Sequence, residues 1–219
     1  MNKSAETIMT DKPVVDQHLQ GGHEHKDPVG AKIGMWLFLM TELLLFGGMF
    51  LIYGTYRYMN SDGFHSAAQE LNTIIGTFNT VILLTSSLTV ALSITALQKG
   101  NKTLSLLLLA ITIAFAFWFL VNKYFEWSHE IHKGIYPGSS ELTNRSNGEI
   151  LFFGLYYVMT GVHGIHVILG IVILSFMLAF IVKNKITPED SIKLEVSGLY
   201  WHLVDIIWIF LFPLFYLLR

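Results

Sequence analysis

Residues 150–182 read ILFFGLYYVMTGVHGIHVILGIVILSFMLAFIV, and this stretch decides the fold class. It contains no Lys, Arg, Asp or Glu, so no formal charge interrupts the apolar run. A helix needs about 20 apolar residues to cross the hydrocarbon core of a bilayer, and this run exceeds that length. Its apolar residues do not alternate with period two, as a strand of a membrane barrel would require. The stretch therefore predicts a transmembrane helix.

The composition of the whole chain also indicates a membrane protein. Of its 219 residues, 53% are hydrophobic and only 14% are charged, whereas soluble domains carry about 25% charged residues. The net charge is only -2 and no basic block is present, which argues against a protein that binds nucleic acid. The chain has no cysteine, which excludes disulfides, iron–sulfur clusters and copper sites with thiolate ligands.

Four further apolar stretches are long enough to span a bilayer. The five predicted spans lie near residues 31–58, 71–98, 103–128, 148–182 and 196–218. We therefore predict an all-α polytopic membrane protein, a bundle of five transmembrane helices. Residues 1–28 are expected to form a polar N-terminal arm, and residues 29–219 a single five-helix transmembrane domain.

The segments between the spans have distinct characters. Residues 60–70 read as a short polar loop, and residues 98–102 as a tight turn around Gly100. Residues 130–147 contain Pro137 and Gly138 and are typical of a surface loop. In the last connection, Thr187-Pro188-Glu189-Asp190 is a candidate helix start.

The distribution of basic residues predicts the orientation in the membrane. Nine lysines fall on the side of the N-terminal arm, the second loop and the fourth loop: Lys3, Lys12, Lys26, Lys32, Lys99, Lys102, Lys183, Lys185 and Lys193. Five basic residues fall on the other side: Arg57, Lys123, Lys133, Arg145 and Arg219. Cytoplasmic loops carry the excess of Lys and Arg. We therefore expect the N-terminus inside and the C-terminus outside.

Glu42 is the most conspicuous ionisable residue within a predicted span. It lies about 16 Å into the first helix at about 1.5 Å per residue, and its neighbours in sequence are almost all apolar. A carboxyl at this depth is costly unless it is protonated or bonded to another helix. It is either a proton-linked or lipid-linked functional carboxyl or the acceptor of a structural bond between helices.

Histidines within the spans are candidate ligands or candidate hydrogen-bond partners. His163 and His166 are three residues apart, so they share one face of the fourth span. Two imidazoles could bind haem or a metal, but each haem iron would need a facing ligand at matching depth. His202 is the other histidine well inside a span, so we favour hydrogen bonds between helices for all three and predict no metal site.

Three more polar residues are expected in the core. Asp205 lies three residues after His202, where its carboxylate could accept from the imidazole and fix the tautomer. Asn79 supplies an amide to the second span, as packing between membrane helices favours. Glu126 lies near the end of the third span, where the segment 123–127 is expected to mark the outer headgroup level.

The same polar positions carry a resemblance to a known family. The segments are MTELLLF at residues 40–46, NT at 79–80 with LLTSS at 83–87, FEW at 125–127, TGVHGIHV at 160–167 and YWHLVDIIW at 200–208. Together, and in this order, they resemble subunit III of the haem-copper respiratory oxidases, the cytochrome c oxidase subunit III family. The resemblance covers about residues 30–218 and begins at the third helix of the family's seven-helix form. The sequence is thus similar to a short five-helix form.

The resemblance implies a non-catalytic subunit of a complex that oxidises a reduced carrier, reduces oxygen to water and pumps protons. Such a subunit would hold no redox centre of its own, because haem and copper belong to its partners, subunits I and II. It would lie in the cell inner membrane and support proton uptake and the stability of the catalytic subunit. Glu42 matches the family's buried carboxyl. Family members also bind phospholipid in a cleft, but that cleft involves the two helices absent here, so no lipid-binding residue is assigned.

Other functions remain open on the sequence alone. The chain could be subunit III of a quinol oxidase or an accessory subunit of a nitric oxide reductase, because other chains select the electron donor. An independent small transporter using Glu42 and Asp205 would be expected to show inverted repeats or broken helices, and we find neither. A di-haem electron carrier would need facing histidine pairs. No sequence motif for a catalytic residue is present.

Overall fold

Seven helices account for most of the chain in the computed structural model, which describes residues 28–188 and 190–218. They are α1 (Pro28–Met59), α2 (Ser61–Glu70), α3 (Thr73–Gln98), α4 (Lys102–His132), α5 (Ser140–Thr143), α6 (Asn147–Val182) and α7 (Ile192–Tyr216). Within these ranges there is no β-strand. The five helices α1, α3, α4, α6 and α7 are long and apolar enough to cross a membrane, which confirms the predicted five-span fold. The predicted N-terminal arm, up to residue 27, lies outside the described residues.

Local hydrogen bonds explain where several helices begin and end. The Asn72 side chain accepts from the first backbone N–H groups of α3, and Asn101 does the same for α4. Ser146 and Glu149 form a reciprocal capping box at the start of α6, which satisfies two donors that the helix itself cannot pair. The turn between α3 and α4 passes through Gly100 at φ +79°, a conformation that glycine adopts without steric cost.

The structure corrects the prediction for residues 60–70. This segment is the helix α2, not a polar loop. Its buried residues are Phe64, Ala67 and Ala68, and Leu71 follows on the same face. This i, i+3, i+4, i+7 spacing is that of an amphipathic helix, and the polar composition of the segment concealed it.

Two other boundaries differ from expectation. The loop predicted at residues 130–147 starts later, because α4 continues to His132, and it contains the short helix α5. The helix start predicted at Thr187-Pro188-Glu189-Asp190 is wrong, since α7 begins at Ile192. Instead, the Asp190 N–H donates to the Thr187 carbonyl oxygen at 3.1 Å and closes a turn. Glu189 lies outside the described residues.

The long helices pack as a four-helix core with α1 attached to its outside. α3 pairs with α4, α4 with α6, α6 with α7, and α7 with α3, which closes the core. α1 packs against α6 and α7, and it is the least buried of the five spans, whereas α7 is the most buried. Much of α1 is therefore left for contact with lipid or with another protein.

At each end of the bundle, an ion pair joins two of its elements. At one end, Lys32 of α1 lies 3.0 Å from the carboxylate of Glu195 of α7. At the other end, Arg145 donates to Glu70, which raises the pKa of the Arg145 guanidinium. The pair ties the α5–α6 connection to α2.

Candidate functional site

Glu42 and His166 form a hydrogen-bonded pair between α1 and α6. The carboxyl oxygen Oε2 of Glu42 lies 2.8 Å from Nε2 of His166, and Nδ1 of His166 lies 2.8 Å from the carbonyl oxygen of Val162. Both side chains are mostly buried. The sequence predicted only that Glu42 would be protonated or bonded to another helix, and the structure identifies its partner.

The chemistry of the pair follows from its two hydrogen bonds. A carbonyl oxygen can only accept, so Nδ1 of His166 carries a proton. The other proton lies between Glu42 and Nε2: either a neutral carboxyl donates to the imidazole, or an imidazolium donates to the carboxylate. Both arrangements are neutral overall, which lowers the cost of placing ionisable groups at membrane depth.

Aromatic residues enclose the imidazole of this pair. The Phe46 ring meets the His166 ring edge to face at 5.4 Å between centroids. The Tyr200 hydroxyl donates to the backbone carbonyl of His166 at 3.1 Å. α1, α6 and α7 thus meet at one point, which fixes the position of the pair.

His202 and Asp205 do not form the pair that their spacing suggested. Nδ1 of His202 lies 2.6 Å from the Ser87 hydroxyl of α3, so this histidine joins α7 to α3. Ser87 also lies beside Asp205 and is within reach of its carboxyl, but neither carboxyl oxygen makes a hydrogen bond of good geometry with the described residues. A carboxylate buried in this way would be costly, so we expect Asp205 to be protonated or to bond to water.

His163 is fully buried between aromatic rings. It packs against Phe119 and Trp208, with ring centroids 5.7 and 5.2 Å away. Neither of its ring nitrogens has a hydrogen-bond partner among the described residues. An unpaired imidazolium would be unfavourable in such surroundings, so His163 is expected to be neutral. Although His163 and His166 lie on the same face of α6, their side chains have different surroundings.

Lys123 and Glu126 form a second polar centre; the sequence predicted Glu126 as a polar core residue, but not its pairing with Lys123. Oε1 of Glu126 lies 3.2 Å from Nζ of Lys123 and also accepts from the hydroxyls of Tyr156 and Tyr216. Nζ of Lys123 in turn donates to both tyrosine oxygens, at 3.0 and 2.9 Å. The centre joins α4, α6 and α7. The lysine and glutamate are only 7% and 6% exposed.

The level of residues 123–127 relative to the headgroups stays a prediction, but the side chains of this segment divide between two directions. Tyr124 and Phe125 do face outward, whereas Lys123 and Glu126 point into the bundle. The i, i+3 spacing of the lysine and the glutamate on one helix face could have indicated an ion pair. No spacing could have indicated Tyr156 and Tyr216, because they lie on other helices.

Asn79 belongs to the neighbouring contact between α3 and α4. Its Oδ1 accepts from Nδ2 of Asn122 at 2.8 Å, and its own Nδ2 has no partner within the described part of the chain. Of the predicted polar residues, Glu42 and His166 bond to each other, whereas Asn79 bonds to Asn122 and Glu126 bonds to Lys123 and two tyrosines. The three span histidines have different neighbours, and within residues 28–188 and 190–218 no three His, Asp or Glu side chains cluster as metal ligands would.

Comparison with known proteins gives consistent matches over nearly the whole chain. The sequence model of the family described as Cytochrome c oxidase subunit III matches residues 7–218. A probable cytochrome c oxidase subunit 3 of Nocardia farcinica is 29% identical over 197 residues, which cover 90% of this chain and 92% of the relative. Cytochrome bo(3) ubiquinol oxidase subunit 3 of Pseudomonas aeruginosa is 28% identical over 215 residues, which cover 97% of this chain and 98% of the relative.

A third relative is much longer than this chain. The heme-copper oxidase subunit I+III of Aeropyrum pernix is 29% identical over 218 residues. The match covers 94% of this chain but only 25% of that protein.

Proposed function

Because the chain belongs to the cytochrome c oxidase subunit III family, we propose that it is a non-catalytic subunit of a haem-copper terminal oxidase. The family consists of subunits of oxidoreductase complexes, and this member is a multi-pass membrane protein. In our proposal, it packs against subunit I beside subunit II in the cell inner membrane, and the haem and copper groups lie in those partners. Its role is to support proton uptake by the catalytic subunit and to stabilise it.

The outward face of α1 is the observation that carries the proposal. Two sets of residues recur there every seven positions, and all of them are exposed: Gly34, Thr41, Gly48 and Thr55, and beside them Leu37, Leu44, Leu51 and Tyr58. A Cβ atom added at Gly34 or Gly48 would meet nothing within 4 Å. We call these eight residues the α1 seam.

The α1 seam has the properties of a contact between membrane helices. Small residues let two helix backbones approach closely in lipid, and a seven-residue repeat keeps the contact aligned at a crossing angle of about 20°. The seam lies opposite the face that carries Leu39, Phe46 and Tyr53 into the bundle. A transmembrane helix of another subunit fits this surface.

Subunit I is the partner that the comparisons favour. The relative from Aeropyrum pernix is named subunit I+III, so in that protein the two subunits share one chain. Glu42 lies on the same helix as the seam but faces His166. In our proposal, α1 is thus positioned between the catalytic subunit and the rest of this chain, where the Glu42–His166 pair can exchange protons near the partner.

The proposal also specifies the electron donor of the complex. The family description supports cytochrome c, whereas the relative from Pseudomonas aeruginosa is named as a ubiquinol oxidase subunit. We propose cytochrome c, with quinol as the alternative. Oxygen consumption by the purified complex with reduced cytochrome c, compared with ubiquinol, distinguishes the two.

Purification of the tagged full-length chain from its native membrane in mild detergent tests the proposal. We expect a large partner that contains haem to purify with it. Gly48→Leu should greatly reduce the haem recovered, because the leucine occupies the seam. Gly164→Leu is the matched control, since a Cβ added at Gly164 also meets nothing within 4 Å and α6 is not part of the seam. A chain that purifies alone, or equal haem recovery with both variants, would reject the proposed contact.

A further inference from the structure

Asp205 is a buried carboxyl that neither the Glu42–His166 pair nor the α1 seam explains. It lies close to the midpoint of α7, a helix of 25 residues, and it is only 2% exposed. The Ser87 hydroxyl is within reach, but neither carboxyl oxygen makes a hydrogen bond of good geometry with the described residues, and none of their cations is paired with it. Ionisable residues at membrane depth are rare and usually functional. A purely structural role would require fixed partners, which Asp205 lacks within the described part of the chain.

A line of hydroxyl groups runs along the contact between α3 and α4. Ser86, Thr89 and Ser93 share one face of α3 because they are spaced i, i+3 and i+7. The Thr89 hydroxyl oxygen lies 2.8 Å from that of Thr112, and the Ser93 hydroxyl oxygen lies 3.1 Å from that of Ser105. All of these residues except Thr89 are fully buried. We call the five residues the hydroxyl ladder.

One end of the hydroxyl ladder lies beside Asp205. The Ser86 hydroxyl accepts from Nε1 of Trp201 at 3.1 Å. Trp201 and Asp205 are four residues apart, so they lie one above the other on the same face of α7. Ser87, which is within reach of the Asp205 carboxyl, directly follows Ser86 in the chain. Ser86 and Ser87 are therefore the hydroxyl groups through which the ladder can reach the carboxyl.

The other end of the hydroxyl ladder lies near the surface of the bundle. Ser105 is in the first turn of α4, next to the turn through Gly100. Gln98, the last residue of α3, donates to Glu195 at 2.9 Å. The ladder thus ends at the end of the bundle that carries the Lys32–Glu195 pair.

The chemistry of the hydroxyl ladder suits proton transfer. A hydroxyl oxygen can accept one proton and release another. Successive turns of α3 are about 5.4 Å apart, which one bridging water spans with two hydrogen bonds of about 2.8 Å. Each hydroxyl returns to its neutral form after a transfer, so no charge has to remain in the buried part of the ladder.

The polar groups on the other side of Asp205 are of a different kind. Asp205 lies between Trp201, which bonds to Ser86, and Trp208, which bonds to Thr80. Next to Thr80 is Asn79, which forms an amide–amide hydrogen bond with Asn122. The donor and the acceptor of an amide are different atoms, so an amide does not pass on a proton as a hydroxyl does. This asymmetry favours exchange through the hydroxyl ladder.

We propose that Asp205 is a proton-binding site that exchanges its proton through the hydroxyl ladder with water at the end of the bundle that carries the Lys32–Glu195 pair. The carboxyl is protonated at rest, because a buried carboxylate without partners would be costly. It releases its proton to the adjacent hydroxyl as another proton arrives by the same route. The site belongs to this chain alone, so it does not depend on which complex the chain joins.

Infrared spectroscopy of the full-length chain in bilayers tests the protonation of Asp205. Aspartate labelled with ¹³C at its carboxyl group distinguishes its bands from those of glutamate. We expect a labelled carbonyl stretch of a protonated carboxyl at neutral pH. Asp205→Asn should remove it, and Asp62→Asn, at an exposed acid, should retain it. If the wild-type chain shows no such band, or if the band survives in Asp205→Asn, the proposal is overturned. The wild-type spectrum decides the first point even if Asp205→Asn folds poorly.

Transfer of the same samples to D₂O measures the exchange route, because deuteration shifts the carbonyl band. Thr89→Val and Thr112→Val each remove one hydroxyl of the ladder with little change of shape. We expect each to slow the shift about tenfold, equivalent to a barrier about 1.4 kcal/mol higher. Thr85→Val is the matched control, since Thr85 lies on the exposed side of α3 and its hydroxyl donates only to the Val81 carbonyl, at 2.7 Å. Its exchange should match the wild type. Equal rates in all three variants would eliminate the ladder as the route.

A fourth variant tests the direction of exchange. Asn122→Leu removes an amide on the other side of Asp205 and should leave the exchange rate unchanged. Slower exchange in Asn122→Leu, together with wild-type rates in Thr89→Val and Thr112→Val, would place the route on that side and overturn the proposal. Helical circular dichroism of each variant, recorded on the same samples, checks that the fold is retained.

Discussion

Glu42 and His166 share a single proton across the contact between α1 and α6. The backbone carbonyl of Val162 fixes the proton on Nδ1, so Nε2 is left to exchange its proton with the carboxyl of Glu42. The pair lies where α1, the least buried of the five spans, meets the core. In the complex proposed above, this carboxyl lies on the helix that contacts the catalytic subunit.

Glu42→Gln is expected to preserve assembly and to reduce coupled turnover modestly. The glutamine amide can donate to Nε2 of His166, so the link from α1 to α6 remains, but it cannot release a proton. We expect turnover and proton pumping by the intact complex to fall by less than about tenfold, or about 1.4 kcal/mol in barrier height. Glu42→Leu should instead lower thermal stability, because it leaves Nε2 unpaired. Complete loss of oxygen reduction by an assembled Glu42→Gln complex would make Glu42 catalytic and contradict the proposal.

At the scale of the elements, the lengths of the apolar stretches correctly predicted the five spans. The polar composition of residues 60–70 led instead to a predicted loop where the structure has the helix α2. A membrane helix must satisfy its backbone internally whatever its neighbours are, so its length can be read from the sequence. α2 is held in place because Phe64, Ala67 and Ala68 are buried against the rest of the bundle. The helical spacing of these three residues is visible in the sequence. The partners of Lys123 lie on α6 and α7, so only the packing of the helices could show that centre.

The contact between α6 and α7 depends on the absence of a side chain at Gly170. A Cβ atom there would lie 2.6 Å from two ring atoms of Trp201, a fully buried residue. Gly170→Ala should therefore destabilise the protein by about 1–3 kcal/mol, the usual cost of overpacking a core. The measurement is the midpoint of unfolding in denaturant, followed by helical circular dichroism.

Gly154→Ala on the same helix is the control for Gly170→Ala. A Cβ atom at Gly154 meets nothing within 4 Å, and alanine favours a helix by about 1 kcal/mol over glycine. This variant should be neutral or slightly stabilising. If both variants shifted the midpoint in the same direction and by the same amount, helix propensity rather than the Trp201 contact would control stability at Gly170.

At the scale of the whole molecule, the two ends of the bundle differ in charge. Lys32 bonds to Glu195, and Lys102 donates to Asn184 at 2.6 Å, so the lysine-rich start of α1, the α3–α4 turn and the α6–α7 loop meet at one end. Lys123, counted on the opposite side from the sequence, is buried in the bundle and neutralised by Glu126. Without it, the count of basic residues becomes nine against four, which strengthens the asymmetry.

This asymmetry predicts that the lysine-rich end faces the cytoplasm, with the loop between α4 and α6 outside. The chain contains no cysteine, so one introduced cysteine reports one position without background. We expect Ser140→Cys to react with a membrane-impermeant maleimide added to intact cells, and Lys183→Cys to react only after the membrane is opened. Both positions are exposed. Labelling of both variants after permeabilisation controls for reactivity. The reverse pattern in intact cells would invert the topology.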